Sequence, residues 1–164
     1  MSEESGKAKF YSGLVKAVIW SVVLSIIILF SVYQVASRGL WIFMGSTFFL
    51  LAVLCFVILK IHGEDIRSVL PDIIFGAMDT GLMTIFAVIG AAFEGVLGAV
   101  VGAAAGDAVT DVWAGSFEGK AASVLRERNI SEDRRPFATA VGKVSGCLIG
   151  GGTAISVIDL MGVL

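Results

Sequence analysis

From Asp72 to Glu118 the chain runs without a strong polar break. That is more than twice the roughly 20 residues that cross a hydrocarbon core as a helix, so the run has to fold back on itself. Turn chemistry falls at Phe93-Glu94-Gly95. A division there predicts one span over 73–92 and another over 96–118, joined by a turn so short that the two run antiparallel.

Three further apolar runs, 13–36, 40–59 and 137–160, are each long enough to span. Hydrophobic residues make up 57% of the chain and charged residues 16%, against about 25% charge in soluble domains. The fold class expected is therefore all-α: a polytopic membrane bundle of about five transmembrane helices. The first run is about twice the length of a signal-peptide core and lacks a small-residue cleavage site, so it reads as a retained anchor. Residues 1–12 read as a polar tail, disordered or interfacial, and 13–60 as a two-helix hairpin. Residues 61–71 read as a charged connector that ends in a short amphipathic helix, with Pro71 in the first turn of the next span. Residues 72–164 then form a three-helix core, with a basic polar loop over 119–136.

Lysine and arginine set the orientation. Lys7, Lys9 and Lys16 precede the first span, and Lys60 and Arg67 follow the second. Lys120, Arg126, Arg128, Arg134 and Arg135 fall in the 119–136 loop, while Arg38 stands alone between spans one and two. A cytoplasmic N-terminus puts every rich segment inside. The sequon Asn129-Ile130-Ser131 is discounted on the same ground, and Ser131 with Glu132 and Asp133 reads as a helix start.

The acidic residues carry the functional reading. Asp107, Asp111 and Glu118 share one stripe of a helix at about 100° per residue, beside Gly98, Gly102 and Gly106 at every fourth position. Gly142, Gly146 and Gly150 repeat that spacing. Small residues at this interval let helix backbones approach closely, within the chain or across a homodimer. A carboxylate in lipid costs several kcal/mol unless it faces a bundle interior or a water-filled cavity. Asp79, on the preceding helix beside Thr80 and Thr84, reaches the same depth. Two carboxylates one turn apart, with hydroxyl and backbone oxygens, suit a hard cation such as Mg²⁺ or Ca²⁺. The candidate ligands are Asp111, Asp107, Asp79, Glu118, Thr110 and Glu94, with Asp159 as an outlying acid. The competing reading pairs Asp111 with Lys143.

Other chemistries lack residues. His62 is the one histidine, Cys55 and Cys147 sit within apolar runs as packing residues, and no nucleotide fingerprint, phosphate loop or paired CxxC occurs. No enzyme, no organic cofactor and no nucleic-acid partner is expected; the partners are the lipid bilayer and a second copy.

The run Met78-Asp79-Thr80-Gly81-Leu82-Met83, followed by the Gly/Ala-rich stretch ending Gly106-Asp107-Ala108-Val109-Thr110-Asp111-Val112-Trp113-Ala114-Gly115, resembles the transmembrane protein 65 family. The resemblance covers roughly 72–160. It implies a link to sodium–calcium exchange, with acidic positions at Asp79 and Asp111. It also implies the mitochondrial inner membrane in a eukaryote; otherwise the plasma membrane is expected. This chain departs from the family in having Asp107 where Asn is usual and Thr110 where Ser is. The element Thr110–Gly115 is also similar to a short stretch in the last helix of MgtE-type magnesium channels, which implies an ion-facing Asp111. The function expected is a divalent-cation transporter or channel; the alternative is a non-transporting scaffold or regulatory subunit with charge-paired acids.

Overall fold

The computed structural model describes residues 2–127 and 135–162; side chains are described from Tyr11 onward, except those at 114–116, 118, 121–122 and 125. The described residues form four helices: α1 (Ser2–Ser37), α2 (Met44–Ile61), α3 (Leu70–Glu127) and α4 (Pro136–Leu160), with 3-10 turns at Trp41–Phe43 and Ile66–Val69. The expected polar tail is helical, since α1 begins at Ser2. Likewise the helix continues to Glu127, so Lys120 and Arg126 stand on α3 and not in a loop. The expected helix start at Ser131 and the sequon at Asn129 lie outside the described residues.

Glycine ends α1 and α2 in the same way. Gly39 adopts φ 68° and Gly63 φ 70°, a left-handed conformation that costs glycine little. The amides of Gly39 and Leu40 then donate to Ala36 and Val35, and those of Gly63 and Glu64 to Lys60 and Leu59. This pairing satisfies the last carbonyls of each helix.

Four of the described helices are long and apolar enough to cross a membrane: Tyr11–Ser37, Trp41–Ile61, Ile66–Trp113 and Pro136–Leu160. The expected count of about five helices is thus corrected to four, one of which, α3, folds back as two arms. The difference lies in α3, which folds back on itself: its two arms are the third and fourth expected spans, joined across a turn. Its interior is broken at Glu94 (φ −135°, ψ 26°) and Gly95 (φ 56°, ψ −130°). The arms on either side, 70–93 and 96–127, lie antiparallel in fixed register: Gly90 meets Gly98, Phe86 meets Gly102 and Met83 meets Gly106. The chain is a multi-pass membrane protein built as an all-α bundle.

α4 runs parallel to the first arm of α3. Gly142 abuts Val69, Gly146 abuts Ile73 and Gly150 abuts Ala77. α2 lies antiparallel to α4, with Gly45 against Gly152 and Ser156, and Phe48 against Gly151 and Gly152. The core sits among these three, around Leu51, Cys55, Leu59, Val141 and Leu148. α1 packs on the outside of this core through Leu24, Ile27 and Ile28, and at the end where α4 begins its Lys16 Nζ lies 4.5 Å from the Phe137 ring centroid.

The first arm of α3 is therefore sandwiched between α4 and the second arm. Both glycine stripes are used inside the chain, each against that first arm. Lys16, Lys60, Arg67 and Arg135 gather at the end where α4 begins, and Arg38 lies at the opposite end with the Glu94–Gly95 turn. A reporter inserted near Asn129 is expected inside the cell and one fused after Leu164 outside. Protease protection in oriented vesicles checks this; a 119–136 segment found on the external face would overturn the assignment.

Candidate functional site

On the second arm of α3, Gly98, Gly102, Gly106 and Thr110 recur every fourth residue and form the face turned to the first arm. Thr110 ends that stripe and is fully buried, at 0% exposure. Its hydroxyl lies 3.0 Å from the Asp79 Oδ1, 3.0 Å from the Gly106 carbonyl and 2.8 Å from the Asp107 carbonyl. One hydroxyl proton thus serves three acceptors. Bonding back to i−4 and i−3 carbonyls is common for threonine in helices; the third contact ties the two arms together.

Asp107 and Asp111 each follow a residue of that face by one position, which places them about 100° round the helix. Both are exposed, on the flank of the interface and not inside it, while Asp79 is partly buried. The structure thus brings Thr110 and Asp79 together and leaves Asp107 and Asp111 beside them on the outer surface. Glu94 is exposed at the turn, about 22 Å along the arm from Asp79 at 1.5 Å per residue, and does not join them. Asp159 is partly buried near the end of α4. The Glu118 side chain lies outside the described residues. Among the described residues no three histidine, cysteine or acidic side chains gather closely enough to hold a metal.

The expected charge pair between Asp111 and Lys143 is not formed. The Lys143 Nζ lies 3.9 Å from the centroid of Phe75 instead, a cation–π contact between α4 and the first arm. Cys55 and Cys147 are free thiols, as expected of packing residues. A further acid, Asp72, is 7% exposed and sits in the first turn of α3, where the helix dipole favours a carboxylate. Its place directly after Pro71 was the available signal, but a helix-start acid is so common that the sequence gives it no special weight.

Thr110→Val keeps the shape of the side chain and removes its hydroxyl. The variant is expected to lose about 1 kcal/mol of stability, the ordinary scale of an interhelical hydrogen bond in a membrane, and Thr110→Ser is expected to retain most of it. Unfolding in mixed micelles measures both; equal losses would show that the hydroxyl does not couple the arms. Compared with family models, curated proteins and solved structures, the chain matches none of them.

Proposed function

We propose that this chain is a divalent-cation transporter or channel whose ion meets Asp79, Asp107 and Asp111. The observation that carries the reading is the Thr110–Asp79 contact between two acid-bearing arms, with Asp107 and Asp111 one residue from the same interface. If the arm 70–93 crosses a hydrocarbon core of about 30 Å, Asp79 stands about 14 Å along it, close to mid-depth. Carboxylates at that depth are rare and functional as a rule. The cation is cargo here and not a resident group. A homodimer through the flank of the second arm would cover Asp107 and Asp111 and double the number of acids beside the path. The plasma membrane, or the mitochondrial inner membrane in a eukaryote, is the proposed location.

The competing reading is a non-transporting scaffold or regulatory subunit. It draws support from the outward placement of Asp107 and Asp111 and loses support from Lys143, which is engaged with Phe75. Flux of Mg²⁺, Ca²⁺ and Mn²⁺ into liposomes carrying the purified protein separates the two. Uptake above protein-free liposomes is expected; its absence for all three ions, in liposomes where the protein is folded, leaves the scaffold reading.

A further inference from the structure

A second cluster occupies the end of the bundle where α4 begins, away from the acids. His62, the one histidine of the chain, stands just past the C-terminus of α2. Its ring is edge-on to Trp20, with centroids 5.2 Å apart and planes at 86°, and its centroid is 4.8 Å from that of Phe137. The His62 Nδ1 lies 2.9 Å from the Ile58 carbonyl oxygen. A carbonyl only accepts, so Nδ1 carries the proton, and a neutral ring then has none on Nε2. The Phe137 ring already holds a cation, the Lys16 ammonium at 4.5 Å.

The other charged groups at this end are Lys60 on α2, Glu64, Asp65 and Arg67 in the connector, Asp72 at the start of α3, and Arg135 ahead of α4; Tyr11 stands on α1. Glu64, with its side chain 7% exposed, is bound by Arg135 at 3.2 Å, so its charge is already answered. α1 meets the core here at Ala17 and Trp20 and further along at Leu24, Ile27 and Ile28. Among its described residues only Ala17 and Leu24 are buried, on the stripe that also carries Trp20.

We propose that His62 is a proton-operated release for the Lys16 contact of α1: a proton gained at Nε2 puts a second cation beside Phe137 and displaces the Lys16 ammonium from the ring. Imidazole is the side chain whose charge ordinarily changes between pH 5 and 8, while carboxylates and lysines keep theirs. Two cations against one aromatic ring repel each other in surroundings less polar than water. Lys16 is the one that moves, because its stem is flexible and reaches the headgroups, whereas His62 is fixed by its bond to Ile58. The proton comes from water and no other bond changes. The proposal is independent of cation transport.

The test is reductive methylation of the full chain in nanodiscs, with the labelling of Lys16 divided by that of exposed Lys60 to cancel the pH dependence of amine reactivity. The ratio is expected to rise about threefold as pH falls from about 8 to 5.5, the population equivalent of an ordinary cation–π contact. In His62→Gln, which keeps a donor for Ile58, the ratio is expected to stay flat. A flat ratio in wild type, or an equal rise in His62→Gln, overturns the proposal. Trp20 emission in a Trp41→Phe, Trp113→Phe background shows whether His62 gains its proton in this range. If that emission titrates while the Lys16 ratio stays flat, the displacement is refuted; if neither changes, the release is refuted as well.

Discussion

Gly146→Leu is expected to leave little folded protein. A Cβ at Gly146 would stand 2.8 Å from the Ile73 carbonyl carbon and 2.9 Å from its Cα, and the three further carbons of leucine have to follow it. Overpacking costs about 1–3 kcal/mol where neighbouring side chains can shift. Here the neighbours are backbone atoms of the first arm of α3, which is held on its other side by Gly98, Gly102 and Gly106 of the second arm. Moving that arm away from α4 opens the core around Val141 and Leu148. The loss is expected to reach several kcal/mol, a large share of the 5–15 kcal/mol that stabilises ordinary domains. Gly119→Ala is the control, since nothing lies within 4 Å of a Cβ there, and it is expected to fold normally. Yield and thermal unfolding in detergent decide; a Gly146→Leu protein that melts with wild type would mean α4 and α3 do not pack in this register.

The second large effect concerns the ion. Asp111→Asn keeps the size of the side chain and one oxygen but removes the charge. On the transport reading it is expected to abolish most divalent flux while the fold persists, because Asp111 is exposed and makes no packing contact that asparagine cannot make. Asp107→Asn and Asp79→Asn are expected to act in the same direction but less strongly, each being one ligand among several. A cation that binds only the folded state raises stability by about 2.7 kcal/mol at a hundredfold excess over its Kd. Wild type is therefore expected to melt at higher temperature when Mg²⁺, Ca²⁺ or Mn²⁺ is added, and Asp111→Asn to respond little. Identical responses would remove the acidic flank from any account of ion binding.

Much of the architecture was legible in the residues. Length and apolarity marked the membrane helices, and Glu94-Gly95 marked the turn because only a residue free to adopt positive φ fits there. The glycine spacing announced close backbone approach, but not the partner. Two stripes at the same interval look alike in sequence, and both turned out to face the same arm of α3. The tail before Gly13 and the stretch from Gly119 to Glu127 read as polar segments, yet they continue α1 and α3. A helix that leaves the membrane no longer needs apolar residues, so hydropathy stops reporting it. The acids show the same limit. Angles along one helix put Asp107 and Asp111 on one flank beside the glycine stripe, where both stand. Which residue would point at Asp79 depended on a register between arms that no single-helix argument contains. Lys143 over Phe75 was invisible for the same reason.

The parallel alignment of α4 with the first arm of α3 has a consequence for biosynthesis. Parallel neighbours cannot be joined by a tight turn, so the second arm serves as the crossover that returns the chain to the side where α4 begins. α2 and the first arm are synthesised well before α4, yet both bury their main contact surfaces against it. During translation those surfaces, Phe48 and Gly45 on one helix and Ile73 and Ala77 on the other, wait in the bilayer beside lipid or the insertion machinery. Assembly of the core is thus a late, nearly simultaneous event, and a ribosome stalled before Pro136 would release a set of inserted helices that have no centre to close around.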